Sequence, residues 1–151
     1  MVMKILDAKK IKYNHYCYTA DAQTTGIEIA QMLREDPKCV FKTLVTIGKS
    51  GKNYVFVIPV EQELDLKKAA KAANEKYVEM IKSKDLLSTT GYIHGGCSPI
   101  GMKKTLITFF DESVLELEKV IFSGGKIGFQ VELNVKDLCK VINYKTINLT
   151  I

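Results

Sequence analysis

Arginine is almost missing from this chain. Arg34 is the only one, although lysine and arginine together number 22. One guanidinium excludes recognition of bases or phosphates by several bidentate arginine forks. Tryptophan is absent, and no run of aromatic residues interleaves with basic ones as in an RNA-recognition motif. The four cysteines, Cys17, Cys39, Cys97 and Cys139, are scattered and form no CxxC pair. That excludes zinc ribbons and thioredoxin-like motifs, and scattered thiols suit a reducing compartment. No apolar run reaches membrane-spanning length, and the opening MVMKILDAKK has no signal-peptide core. The expected location is therefore the cytoplasm, with no membrane partner. Walker loops, Rossmann glycines and a G-x-S-x-G elbow are also lacking, and neither a metal nor a cofactor is expected.

What remains is an ordinary globular composition. The chain has 151 residues, 46% of them hydrophobic and 26% charged, which predicts one domain spanning 1–151. The net charge of +5 gives a mild bias toward anionic partners. No internal repeat is visible.

Hydrophobic spacing predicts a helix at Val2–Leu6, a strand at Tyr13–Tyr18, and a helix capped by Thr24 or Thr25 that ends before Asp36-Pro37. Cys39–Ile47 and Tyr54–Val60 are apolar on both faces and flank a Lys-Ser-Gly-Lys turn, as in a central hairpin. Asp65 caps a helix with a stripe of Leu66, Ala69, Ala70 and Ala73, which Asn74 ends. A short strand at Tyr77–Ile81 and a helical turn at Lys84–Leu87 follow. Further strands are expected at Leu106–Phe110, Val120–Ser123 and Gly128–Leu133, and Glu112–Glu118 is ambiguous. A helix starting at Asn134 precedes a last strand through Ile147, Leu149 and Ile151. The fold class is α+β, with a mixed or mainly antiparallel sheet.

Gly91–Lys104, GYIHGGCSPIGMKK, belongs to neither a helix nor a strand. It holds four glycines and a proline, and loops of this length in compact domains are functional or disordered. Apolar segments close on either side argue for order. Glycines let backbone approach a ligand and expose N–H groups to anionic oxygens. Lys42 is the most informative single residue. It lies in the two-sided apolar strand, on one face with Val40 and Leu44, opposite Cys39, Phe41, Thr43 and Val45. A lysine there either lines a cleft or snorkels from an edge strand. Asp111 and Glu132, at strand ends, are candidates to balance its charge.

Other candidates have plain alternatives. His94 and Cys97 form an H-x-x-C that could be a thiol–imidazole pair, but two incidental loop residues are the favoured reading. Ser98 and Ser123 place hydroxyls beside flexible backbone, which could bind an anion or form turns. No acid–base pair is evident.

Three segments together carry a likeness: Val40-Phe41-Lys42-Thr43-Leu44-Val45, the glycine loop at 91–104, and SGGKIGFQVEL at 123–133. With LDLKKAAKA at 64–72, they make the chain resemble the YbaK/EbsC family of aminoacyl-tRNA deacylases, free-standing relatives of the editing domain of bacterial prolyl-tRNA synthetase. The resemblance implies a single domain with a mixed, largely antiparallel barrel-like sheet and flanking helices. It implies hydrolysis of the ester of mischarged tRNA(Pro), Cys-tRNA(Pro) first. It assigns Lys42, Tyr18 and Ser123 to catalysis, and Gly91, Gly95, Gly96, Ser98, Gly101 and Gln130 to the substrate pocket. In the Cys-specific members of this family the substrate's own thiol attacks the ester carbonyl, so the protein need supply no nucleophile. The implied partners are the acceptor end of tRNA(Pro) and, transiently, prolyl-tRNA synthetase. Gln130 departs from relatives that carry aspartate, and His94 and Cys97 stand where relatives carry aliphatic residues. A sister activity on Ala-tRNA(Pro), a non-hydrolytic binding module and a Cys97 thiol hydrolase are the competing readings.

Overall fold

The computed structural model describes residues 1–151. The element order is α1 (Val2–Ala8), β1 (Tyr13–Cys17), α2 (Gly26–Leu33), β2 (Phe41–Gly48), β3 (Asn53–Pro59), α3 (Leu66–Ala72), β4 (Val78–Met80), α4 (Ser83–Thr90) and β5 (Ile107–Asp111). A 3₁₀ turn at Glu112–Glu116 leads to β6 (Lys119–Ser123), β7 (Phe129–Asn134), α5 (Val135–Leu138) and β8 (Tyr144–Ile147).

The strands form two sheets, β1-β7-β6 and β4-β2-β3-β5-β8. The first is antiparallel throughout. In the second, β3–β5 and β5–β8 run parallel, so the architecture is mixed and largely antiparallel as expected. A parallel bridge between Val40 and Ile121 joins the two sheets along one seam, and they do not close into a barrel.

The continuous apolar run of β3 is explained by burial on both faces. Val55 and Val57 enter the main core between the sheets, with Phe41, Val45, Phe110, Phe122 and Val131. Tyr54, Phe56 and Ile58 point the other way, onto Ala69 and Ala70 of α3. A third cluster of Ala30, Cys39, Val40, Val60 and Ile121 seats α2 on the seam. That helix starts in a full capping box: Thr25 Oγ1 accepts from the Glu28 N–H, and the Glu28 carboxylate accepts from the Thr25 N–H.

Three expectations change. Leu66 is exposed rather than part of the α3 stripe, because it stands at the first helical position, outside the contact with β3. The last strand is Tyr144–Ile147, not an alternation through Ile151. Leu149 is fully buried beyond its end, its N–H donating to Asp111 Oδ1 at 3.0 Å and its carbonyl accepting from Asp65 N at 2.8 Å. Asp111 thus ties the chain's end to the sheet and does not balance Lys42. Glu132 does not either, since it belongs to a network with Tyr16 Oη (2.8 Å) and Lys119 Nζ (3.5 Å) that also includes Glu35.

Candidate active site

β2 is an interior strand for only part of its length. β3 pairs with it from Phe41 to Ile47. On its other edge β4 covers only Thr46–Gly48, and β6 touches it at Val40. The Val45 carbonyl accepts from Ile81 N at 3.1 Å and the Cys39 carbonyl from Ile121 N at 2.8 Å. Because successive residues point their main-chain groups to opposite edges, the N–H and C=O of Thr43, midway between, face the uncovered gap.

That gap is one wall of a cavity of about 670 Å³. The segment Tyr18–Gly26 leading into α2 forms a second side, and Met80, Ile81 and α4 a third. His94, Gly95 and Cys97 of the glycine loop and Ser123, Ile127 and Gln130 of the β6–β7 hairpin complete it. Loop and hairpin touch main chain to main chain. A Cβ on Gly96 would lie 3.0 Å from Lys126 Cα, so any larger residue would push the loop and hairpin apart. At the hairpin's end Gly128 has φ +84°, and its carbonyl accepts from Tyr18 N at 3.0 Å, which carries β1 on to the cavity.

Lys42 is half-buried on this wall. It takes part in none of the ion pairs. Burial lowers its pKa below the usual lysine value, and the exposed Glu63 opposes this only in part. Tyr18 accepts a hydrogen bond from Gln130 Nε2 at 2.9 Å, and burial raises its phenol pKa. Gln130 is itself buried and stands opposite Ser123 in the β6–β7 ladder. Ser123 Oγ accepts from Gly125 N at 3.1 Å, which holds the hairpin turn. No imidazole or carboxylate is hydrogen-bonded to this hydroxyl, so it has no general base.

The structure therefore brings Tyr18, Lys42, Gly95, Ser123 and Gln130 to one cavity. It places Gly91, Gly96, Ser98 and Gly101 behind the wall. Gly91 is the left-handed C-cap of α4. Ser98 is fully buried, its Oγ accepting from Ile100 N at 3.2 Å within the loop. Gly101 packs on Ile5 and Tyr92 at the loop's base. These residues shape the loop and do not face the cavity. His94 and Cys97 also line the cavity. Burial pushes the Cys97 thiol up to about 12, so it stays protonated at neutral pH and is a poor nucleophile. Thr43 went unmarked in the sequence. Its Oγ1 is a buried atom without a hydrogen-bond partner, as is Gln130 Oε1. The only signal for it is a hydroxyl next to Lys42 in a mainly apolar strand.

Residues 19–141 match the aminoacyl-tRNA editing domain family. The chain is 41% identical over 149 residues to a protein of Enterococcus faecalis (strain ATCC 700802 / V583) assigned as the Cys-tRNA(Pro)/Cys-tRNA(Cys) deacylase EbsC. The alignment covers 98% of this chain and 91% of that protein. Among solved structures, one assigned as a trans-editing enzyme for prolyl tRNA synthetase has a TM-score of 0.86 at 24% identity, covering 99% of this chain and 94% of the other. A hypothetical protein has the same TM-score at 20% identity, covering 99% of both chains. At these identities the two structures share the fold. The match to the family over most of the chain, with the relative from E. faecalis, shows that this protein belongs to the aminoacyl-tRNA editing domain family.

Proposed function

We propose that the protein is a trans-editing aminoacyl-tRNA hydrolase that cleaves the ester of mischarged tRNA(Pro), with Cys-tRNA(Pro) as its main substrate. The observation that carries this reading is a cavity holding an unpaired lysine and no activated protein nucleophile. Cys97 is a protonated thiol, and Ser123 lacks a base. A volume of about 670 Å³ falls within the range of roughly 300–1,000 Å³ typical of small-molecule sites. It can take an aminoacyl group with the terminal nucleoside.

In this reading the work is positioning and polarisation. The Lys42 ammonium faces the ester carbonyl and stabilises negative charge developing on its oxygen. Tyr18 and Gln130 hold each other and the wall on which the acyl group lies, and Ser123 and Gly95 bound the far side. The substrate's thiol sulfur bonds to the carbonyl carbon as the ester C–O bond breaks, giving a cyclic thioester. The thiol proton ends on the departing ribose oxygen, and water later opens the ring. A mechanistic filter of this kind suits small side chains, which binding alone separates poorly.

The identity with the E. faecalis relative supports the substrate assignment. A net charge of +5 with one arginine favours weak binding of tRNA by this domain alone, so transient association with prolyl-tRNA synthetase would supply tRNA selection. The test of activity is the decay of Cys-tRNA(Pro) and Ala-tRNA(Pro) with and without the protein. Fast loss of the cysteinyl ester alone is expected. Loss of the alanyl ester alone would move the substrate to the sister class, and no acceleration of either would overturn the reading. A pull-down with synthetase and charged tRNA should give a ternary complex, and its absence would remove the synthetase as a partner.

A further inference from the structure

Aminoacyl esters are marked by an α-ammonium group, and the usual way to recognise one is a buried carboxylate. This cavity has none. Among its lining residues Asp21 is the one carboxylate and Lys42 the one lysine. Asp21 is exposed, and its Oδ1 is already taken up in its own turn, accepting from Gln23 N at 2.9 Å and from Thr24 Oγ1 at 3.4 Å. Burial raises the pKa of Tyr18 and of Cys97, so neither is an anion at neutral pH. The faces supplied by β4, α4 and the β6–β7 hairpin present Met80, Ile81, Ser83, Leu86, Ser123, Ile127 and Gln130, all uncharged.

The nearest carboxylates lie elsewhere. Glu132, two residues along β7 from Gln130, is committed to Tyr16 and Lys119 and does not line the cavity. Glu63, the charge that acts on Lys42, is exposed outside the wall. Two lining residues carry neutral groups, Gln130 Oε1 and Thr43 Oγ1, that are buried and without partners in the protein. An ammonium entering would meet the like charge of Lys42 and no buried counter-charge, since Asp21 is exposed, an arrangement that disfavours its charged form.

Resting on the deacylase reading, we infer that this cavity recognises its acyl group without a charge pair to the α-nitrogen, so esters bearing a neutral α-substituent are equally good substrates. The chemical class is the ribose ester of a 3-mercapto acid with an α-amino or an α-hydroxy group. Gln130 and Thr43 serve an N–H or an O–H donor alike.

The test uses the full chain and one tRNA(Pro) esterified with cysteine or with 3-mercapto-2-hydroxypropanoic acid. Both keep the thiol, and each enzymatic rate is divided by that ester's spontaneous rate at the same pH. The two accelerations should agree to within about tenfold, the least that a charge-assisted hydrogen bond to an ammonium contributes. Gln130→Glu should add the missing charge and turn the ratio in favour of the cysteinyl ester by about tenfold or more. A wild-type preference for the cysteinyl ester above tenfold would overturn the inference and leave the deacylase reading intact, whether or not the variant folds. Acceleration of neither ester would remove both.

Discussion

Replacing Lys42 by methionine should separate activity from stability. Methionine keeps the apolar stem and removes the charge. Lys42 is the only cationic side chain with a fixed charge on the cavity wall, and it has no ion-pair partner. If its ammonium stabilises the developing oxyanion, kcat falls by about 10²–10³, the loss seen when one such donor is removed, with a smaller change in KM. The effect on folding has the opposite sign. Burial holds the folded-state pKa below the unfolded value of 10.5. The unfolded chain therefore binds the proton more tightly, and this group's contribution to stability rises as pH climbs from the folded pKa toward 10.5. At neutral pH the charged lysine is an unfavourable contribution that methionine removes. The assay pairs single-turnover decay of Cys-tRNA(Pro) with thermal unfolding at pH 7 and pH 10. A slow enzyme with a Tm at or above wild type at pH 7, and a smaller difference at pH 10, is expected. A variant that keeps kcat within about threefold would refute the catalytic role, and one that loses more than about 1 kcal/mol of stability would show that Lys42 serves the fold.

Two more outcomes follow from the same geometry. Cys97→Ala should keep activity within about threefold, because a thiol held near 12 contributes no thiolate at neutral pH; iodoacetamide should label Cys97 far more slowly than the exposed Cys17 and Cys139, and rapid inactivation through Cys97 would promote the thiol-hydrolase reading. Gly96→Ala places a methyl 3.0–3.1 Å from the Lys126–Ile127 main chain, so it should lower stability by about 1–3 kcal/mol, as overpacking does, and raise KM as the loop lifts from the hairpin; urea denaturation and steady-state kinetics check both.

Local chemistry made much of this fold legible. The all-apolar Tyr54–Val60 could only be a strand buried on both faces, and it is. Thr24 or Thr25 announced a capped helix, and Thr25 is the cap; the strands expected at Val120–Ser123 and Gly128–Leu133 pair as neighbours. Lys42 stood out because a charge is costly in such a strand. The unread features depend on pairing between distant segments. Nothing in the sequence beyond its hydroxyl singles out Thr43, which stands where β4 no longer covers β2 and the bridge to β6 has not begun. Asp111 and Glu132 are candidate counter-charges by position alone, because sequence gives position and not direction; one holds Leu149 and the other Lys119. In the same way Gly91, Gly96, Ser98 and Gly101 share a loop with Gly95 but turn away from the cavity it lines. His94 and Cys97, two residues with no partner in the sequence, gained a wall to line only once loop and hairpin met.

The central claim is that the protein supplies position and charge while the substrate supplies the nucleophile. Its most direct test is single-turnover decay of tRNA(Pro) carrying cysteine or S-methylcysteine, with the wild-type protein in excess. The methyl group removes the attacking thiol and leaves the ester, the α-amino group and the RNA unchanged. The account predicts fast loss of the cysteinyl ester and decay of the S-methyl ester at its spontaneous rate. Equal acceleration of both would contradict it and require water or a protein group as the nucleophile.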